Sequence, residues 1–133
     1  MYKYKYFINI EIMNENCYTE YFLCLLSQTL LFHWCTPKYS HHLALDKVYA
    51  CLQDHIDKFV EVCLAKYNKQ PVKPFNIKMT ATSDCSNLVS YYETQIKTLK
   101  KIKTSLKDST ELQGIVESMI TDITQHIYLL KLE

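Results

Sequence analysis

Glycine, proline and arginine are scarce in this chain, and each shortage excludes a class of protein. The 133 residues include one glycine and three prolines, and all 15 basic residues are lysine. Because Gly114 stands alone, neither a P-loop nor a dinucleotide-binding fingerprint can form, since both need several glycines at fixed spacing. A β-sandwich or barrel is disfavoured as well, because its tight turns usually need more glycine. Without arginine, the chain lacks bidentate guanidinium contacts to phosphates and base edges.

A strong net charge and a long apolar run are also missing. The formal net charge is +1, so no overall field draws the chain to nucleic acid or to a membrane. The stretch from Tyr21 to Pro37 carries no formal charge, but it is shorter than the roughly 20 apolar residues that a membrane span needs. We interpret it as a buried helix and expect no membrane partner. A content of 48% hydrophobic and 22% charged residues is typical of one globular domain.

The cysteines form no recognisable metal or redox motif. No C-x-x-C pair occurs, so neither a zinc ribbon nor a thioredoxin-type motif is supported. Three glutamates among the first 20 residues are incompatible with the apolar core of a signal peptide. We therefore predict reduced, mostly buried thiols in a cytoplasmic protein. The six cysteines are Cys17, Cys24, Cys35, Cys51, Cys63 and Cys85.

Apolar residues recur at three- and four-residue spacing in four long segments, which predicts four amphipathic helices. Capping residues and breaks place their ends. The fourth helix begins with a D-x-x-E capping box formed by Asp108 and Glu111. In chain order, the predicted helices run from Asn14 or Asn16 to about Cys35, from Ser40 to about Asn68, from Ser83 or Asp84 to about Leu106, and from Asp108 to about Leu132.

The links between these helices predict the topology. The first and the third links are short, so each joins an antiparallel pair. The second link, residues 68–83, contains Pro71 and Pro74 and can reach about 50 Å when extended, which exceeds the roughly 33 Å length of the third helix. A link that crosses the whole bundle predicts an all-α, ferritin-like four-helix bundle with a long crossover between the second and third helices. A loose loop in an up-down bundle is the alternative.

The N-terminal residues follow a different pattern. Residues 2–12 alternate between apolar and polar side chains, which is typical of a strand but also compatible with an unattached arm. Residues 75–81 alternate in the same way, so the two segments could pair as a small ribbon. We therefore divide the chain into residues 1–12, an N-terminal arm or short strand, and residues 13–133, the four-helix bundle domain.

One edge of the second predicted helix carries side chains that can bind a metal ion. At about 100° per residue, His42, Asp46, Asp57 and Glu61 fall along one edge that borders the apolar stripe. Imidazole and carboxylate together suit iron, manganese or zinc. The alternative is a solvated acidic edge, which amphipathic helices often have. No glutamate is followed by histidine three residues later, so a di-iron centre of the Glu-x-x-His type inside the bundle is excluded.

The run LLFHWCTPKYSHHLALDKVYACLQDHIDKFVEV, residues 30–62, resembles the first two helices of the Dps family, the mini-ferritins that protect DNA during starvation. The family pattern has a His-Trp pair, then His, Asp four later, Asp eleven beyond and Glu four further. The link between the two helices is shorter than in Dps, which leaves open whether His33 reaches the site. The matching residues are His33, Trp34, His42, Asp46, Asp57 and Glu61.

The chain also resembles an uncharacterised ferritin-like group of large DNA viruses and phages. That group shares the H-W, H-x-x-x-D and D-x-x-x-E elements and a Tyr-Leu-Leu ending such as that of residues 128–130. This resemblance implies that a viral member would be located in the host cytoplasm.

The Dps resemblance implies that the chain binds and oxidises iron(II) between two subunits, preferably with peroxide. His33, His42 and Asp46 of one chain would face Asp57 and Glu61 of the other, in a homodimer or larger homo-oligomer. Iron is the implied cofactor, and another divalent metal remains an alternative. The other hypothesis is a non-enzymatic helical bundle that assembles or binds a partner, with a vestigial metal site.

Other histidines and the lysines of the third helix give weaker signals. His41 lies towards the apolar stripe, which indicates a structural role. His55 and His126 have no acidic or thiol partner at a telling spacing. Nucleic acid stays an open partner, because a lysine-rich helix face can contact phosphates or simply face solvent. Its lysines are Lys97, Lys100, Lys101, Lys103 and Lys107.

Overall fold

The structure, a computed structural model, describes residues 16–67, 74–79 and 84–132. Four helices make up most of this part of the chain, and no strand occurs in it. The prediction of an all-α four-helix bundle is confirmed. The helices are α1, Thr19–Cys35; α2, Tyr39–Lys66; α3, Cys85–Ser105; and α4, Thr110–Lys131.

The order of the four helices around the bundle differs from their order along the chain. α2 packs against α1 and α4, and α4 also packs against α3. α1 meets α3 through side chains, where the Tyr21 hydroxyl donates a hydrogen bond to Gln95 Oε1 and Thr29 Oγ1 lies 2.9 Å from the Tyr92 hydroxyl. The circular order is therefore α1, α2, α4, α3, which places α2 and α3 on one diagonal of the bundle.

Contacts at the two ends of α2 and α4 show that these helices are antiparallel. His41 near the start of α2 meets Leu130 near the end of α4, and Lys66 at the end of α2 meets Glu111 at the start of α4. α3 and α4 are joined by a turn of four residues, 106–109, and by contacts that show the same antiparallel arrangement. Those contacts link Tyr92 to His126 and Lys103 to Glu117.

These directions decide between the two predicted topologies. Because α2 and α3 are each antiparallel to α4, they run in the same direction. The link between them must therefore travel the length of the bundle, so the long crossover is confirmed and the up-down alternative is wrong. The described part of this link, residues 74–79, has no regular secondary structure. The Cys24 thiol lies 3.8 Å from the Lys78 carbonyl oxygen, which places this part of the crossover beside α1.

The start of α1 differs from the prediction. Cys17 and Tyr18 have left-handed backbones, with φ of 53° and 58°, so the helix cannot extend back to Asn14 or Asn16. The Asn16 carbonyl accepts a hydrogen bond from the Thr19 N–H, and α1 begins at Thr19. The predicted cap of α2 is also wrong. Lys38 occupies the cap position without a side-chain hydrogen bond, and Ser40 lies within the first turn.

The predicted N-cap of α3 is confirmed, and the predicted N-cap of α4 is wrong. Asp84 caps α3 as predicted, with Oδ1 accepting a hydrogen bond from the Asn87 N–H at 3.3 Å. Asp108 does not cap α4, because its carboxylate accepts a hydrogen bond from the Tyr67 hydroxyl instead. The buried Ser109 takes the cap position, and its Oγ accepts from the Leu112 N–H.

Two cysteines overturn the prediction of reduced thiols. Cys17 and Cys63 form a disulfide with their Cα atoms 5.9 Å apart, and both are fully buried. The antiparallel pairing of α1 and α2 brings together these two positions, which are 46 residues apart in sequence, so sequence spacing alone could not reveal the pair. Cys24, Cys35 and Cys51 carry free, partly buried thiols.

The remaining predictions concern the chain termini and the membrane. The described residues from 16 to 132 belong to the one bundle, while the predicted arm at 1–12 and its ribbon with residues 75–81 involve residues outside those described. None of the described helices is both long and apolar enough to cross a lipid bilayer.

Candidate functional site

His33 and His42 form a stacked pair where α1 ends and α2 begins. Their ring centroids are 3.8 Å apart, with 20° between the ring planes. His33 Nδ1 lies 2.9 Å from the His42 carbonyl oxygen, and His42 Nδ1 lies 2.9 Å from the His33 carbonyl oxygen. A carbonyl oxygen can only accept a hydrogen bond, so each Nδ1 must carry the proton and donate. In the neutral rings, both Nε2 atoms are therefore acceptors with a free lone pair.

This arrangement is the one that protein metal ligands adopt. A ligating histidine usually donates its second ring N–H to a carbonyl or carboxylate, which fixes the tautomer and the ring orientation. His33 and His42 satisfy that condition before any metal is present, and each ring is only partly buried. Despite the short link between the helices, His33 lies against His42.

The three predicted carboxylate ligands lie along the same helix. Asp46, Asp57 and Glu61 of α2 are exposed, and no ion pair of the described residues involves them. Asp46 is one helical turn after His42, whereas Asp57 and Glu61 lie in the second half of α2. Among residues 16–67, 74–79 and 84–132, no three acidic, histidine or cysteine side chains come close enough together to hold a metal ion. The described residues of one chain therefore bring together only His33 and His42 of the five predicted ligands.

A family model matches most of the chain, from residue 33 to residue 130. The chain belongs to this family, which is described as a family of unknown function (DUF5856). No curated protein and no solved structure matches the chain significantly. The matched region begins at His33 and contains all five predicted ligands, and the DUF5856 match assigns these residues no activity.

A second polar cluster of this DUF5856 member lies between α2 and α4, and sequence reasoning missed it. His55 Nε2 is 2.8 Å from Asp122 Oδ2, with about 30% of each side chain exposed. No spacing in the sequence marks this pair, because Asp122 lies 67 positions further along the chain than His55. Cys51 is one turn before His55. Burial, followed by the charge of Asp122, raises the pKa of the Cys51 thiol, so this thiol is not an activated nucleophile.

Two further histidines are buried where the start of α2 lies beside the end of α4. His41 is 2% exposed, and its Nε2 lies 2.9 Å from the Leu130 carbonyl oxygen, which agrees with the predicted structural role. His126 is also 2% exposed, and neither of its ring nitrogens has a hydrogen-bond partner among the described residues. Burial lowers the pKa of His126 to about 4, and the nearby Ala44 carbonyl offsets only part of this effect.

Proposed function

We propose that the chain binds iron(II) between two subunits and oxidises it, as the Dps mini-ferritins do. The observation that carries this proposal is the reciprocal pair of His33 and His42. Both rings keep Nε2 available as a metal ligand, and backbone carbonyls hold both tautomers. Asp46 follows one turn later on the same edge of α2. Two imidazoles and carboxylates are a ligand set that suits iron.

The spacing along α2 supports an inter-subunit site. Asp46 and Asp57 are separated by a rise of about 16 Å along the helix, while metal–ligand bonds are about 2 Å long. One ion cannot touch both groups of the same straight helix. Two antiparallel copies of α2 resolve this, because the pairs 42 with 61 and 46 with 57 share one midpoint, between Cys51 and Leu52. The exposed Ala50 near this midpoint is small enough to let the two helices approach closely.

The chemistry needs only a site that holds iron in both oxidation states. Each iron(II) gives up one electron, and one peroxide accepts two electrons and two protons to yield two waters. The imidazole Nε2 atoms bind iron(II) well, and the carboxylates of Asp46, Asp57 and Glu61 favour the harder iron(III) ion. Without metal, the facing carboxylates repel one another, so iron binding should also strengthen subunit association.

A mixing experiment tests the shared site. An Asp57→Asn chain and an Asp46→Asn chain each spoil both sites of their own dimer. A heterodimer of the two keeps one of its two sites with all its ligands. Random pairing in an equal mixture makes about half of the dimers heterodimers, so the mixture should regain about a quarter of the wild-type iron(II) binding and peroxide-dependent oxidation. An Asp54→Asn chain is the matched control, because it removes an exposed carboxylate of α2 outside the motif and should behave as the wild type.

Two results would contradict the proposal. One is full iron binding by a chain that stays monomeric, and the other is no recovery of binding in the mixture. The alternative function, a non-enzymatic assembly or interaction protein with a vestigial site, is favoured by the exposure of Trp34 and Tyr39, at 69% and 73%. It predicts metal-free protein whose association and stability do not change when iron(II) is added.

A further inference from the structure

Cys17 and Tyr18 are the two described residues with a positive φ, at 53° and 58°. Neither is glycine, and other residues rarely adopt this left-handed conformation. They are consecutive and lie where the sequence predicts the first turn of α1. Such a backbone persists only where surrounding contacts hold it. Two contacts are available here: the disulfide of Cys17 and the buried side chain of Tyr18.

The disulfide of Cys17 is incompatible with a helical backbone at residues 17 and 18. Phe22 contacts Phe59 of α2, with the ring centroids 4.8 Å apart, so Phe22 lies on the side of α1 that faces α2. In a continuous helix, Cys17 would lie about 140° around the axis from Phe22. Its sulfur would then point away from α2 and could not bond to Cys63. The left-handed turn brings Cys17 back towards α2.

The side chain of Tyr18 does not require the left-handed turn. Tyr18 precedes Phe22 by four residues and Leu25 by seven, and all three side chains are buried. This spacing is that of one face of a helix, so a helical Tyr18 would remain on the core side of α1. The disulfide is therefore the contact that holds residues 17 and 18 out of the helix.

Thr19 lacks a hydrogen bond that a longer α1 would give it. Its side chain is 3% exposed, and its Oγ1 has no partner among the described residues. In a helix, a threonine hydroxyl can donate to the carbonyl oxygen three or four residues earlier. The Thr29 hydroxyl of α1 does so, to the Leu25 carbonyl at 2.9 Å. The left-handed turn before Thr19 leaves its hydroxyl without such an acceptor.

We propose that the disulfide between Cys17 and Cys63 is a redox switch that sets where α1 begins. With the bond formed, α1 begins at Thr19. When the bond is reduced, residues 17 and 18 become helical, α1 extends back to its predicted start near Asn16, and the Thr19 hydroxyl gains a carbonyl partner.

A small dithiol supplies the reduction. Its thiolate attacks one sulfur and forms a mixed disulfide, and its second thiol then releases the chain. The protein disulfide takes up two electrons and two protons and becomes two thiols, while the reductant becomes a disulfide. Cys63 lies in the last turn of α2 and Cys17 precedes α1, and helix ends open more readily than helix interiors. No iron takes part, so every test below is made in a metal chelator.

Nuclear magnetic resonance tests the change in the backbone. In the oxidised wild type, residues 17 and 18 should each show the strong cross-peak between amide and α protons that a positive φ produces. Reduction should weaken both cross-peaks and produce the sequential amide–amide contacts of a helix at residues 16–19. Cys24→Ala, which removes a free thiol, is the matched control and should show the same change. Strong cross-peaks that persist after reduction would contradict the proposal, and so would a reduced chain that no longer folds.

Replacement of the Thr19 hydroxyl tests the predicted gain of a hydrogen bond. Thr19→Val keeps the shape of the side chain, so in the oxidised chain it removes only an unpaired buried hydroxyl and should not lower stability. In the reduced chain it removes a bonded hydroxyl, and urea unfolding should show an unfolding equilibrium constant about fivefold larger. Thr29→Val, which removes a hydroxyl that is bonded in both states, should destabilise the two states equally. An effect of Thr19→Val that is the same in both redox states overturns the proposal.

Discussion

His126 has a polar side chain that is buried without a hydrogen-bond partner among the described residues. An imidazole that is 2% exposed and has no hydrogen-bond partner in the described chain loses the solvation of its polar nitrogens. Its ring contacts Tyr92 edge to face, with the centroids 4.5 Å apart, but this contact gives no hydrogen bond. Such a buried, unpaired polar group costs about 1–3 kcal/mol of stability.

Acid should therefore weaken the fold through His126. The unfolded chain binds a proton on this ring near its ordinary pKa of 6.5, whereas the folded chain holds the pKa at about 4. The stability associated with the neutral, buried ring is fully present above pH 6.5. It is lost as the pH falls towards 4, because the unfolded chain then binds a proton that the folded chain does not. We expect the wild type to lose about 2 kcal/mol more than His126→Leu between pH 7.5 and pH 5. Urea unfolding of both chains at the two pH values measures this difference, and equal losses would contradict it.

Sequence patterns predicted the relative positions of residues within one helix, but not the contacts between helices. Helical periodicity placed His42, Asp46, Asp57 and Glu61 on one edge of α2, because that information is contained within one helix. It could not pair His55 with Asp122 or Cys17 with Cys63, because those contacts join different helices and depend on which helices are neighbours. The reciprocal bonds of the histidine pair were equally inaccessible, since they depend on the path of a short link.

The α1–α2 hairpin is the element most strongly held together. The stacked histidines join its helices at one end, and the disulfide between Cys17 and Cys63 joins them at the other. The disulfide also secures the left-handed residues that precede α1, a conformation that costs roughly 1–2 kcal/mol per non-glycine residue. A cross-link that closes a loop of 46 residues restricts the unfolded chain strongly.

Removal of the disulfide should lower stability without changing the fold. We expect Cys17→Ala together with Cys63→Ala to lower the free energy of unfolding by about 2–4 kcal/mol. Urea unfolding under oxidising conditions measures the loss. A reducing agent should bring the wild type close to the double variant, whereas Cys24→Ala, which removes a free thiol, should respond as the wild type does. A wild type that is insensitive to the reductant would contradict this prediction.

Ser109 allows a direct test of the N-cap of α4. Because its Oγ accepts a hydrogen bond from the Leu112 N–H, Ser109→Ala should cost about 1 kcal/mol. Thr110→Ala, one position later and without a capping bond, serves as the control and should be close to neutral. Thermal unfolding measures both effects. A loss at Thr110 as large as that at Ser109 would show that the cap is not the cause.

Among the elements, the four helices could be predicted, but most of their starts could not. Each apolar stripe repeats through many turns, so the signal survives errors at single positions. A cap depends on one side chain with several partners within reach. Asp108 forms a bond with Tyr67 from the preceding hairpin instead of capping α4, and no local pattern around Asp108 reveals that competition.

At the scale of the whole molecule, the crossover was predictable because it follows from the number of residues in a link. Helix directions and link length together exclude the up-down arrangement. The same directions place the start of α2 beside the end of α4 and the end of α2 beside the start of α4. If α2 binds its own copy through the proposed iron site, the smallest assembly is a two-fold dimer.

The proposed site on α2 predicts that subunit association increases when metal is added. We expect the wild type to form a larger species with anaerobic iron(II) than in chelator, because the carboxylates of two facing α2 helices repel without metal. Asp57→Asn should show no such increase, and Asp54→Asn should behave as the wild type. Sedimentation velocity of the three chains distinguishes these species. Identical distributions with and without metal would show that α2 is not an iron-dependent contact.

The covalent bond between Cys17 and Cys63 also changes how the molecule responds to mechanical load. Tension applied to the two chain ends passes through the sulfur atoms and bypasses residues 18–62, which lie between the two cysteines. Those residues cannot be drawn out, so the fully stretched chain is about 150 Å shorter than its residue count implies. α3 and α4 lie outside the closed ring and are free to extend. A single-molecule trace of the oxidised chain should end short, and reduction should restore the missing length.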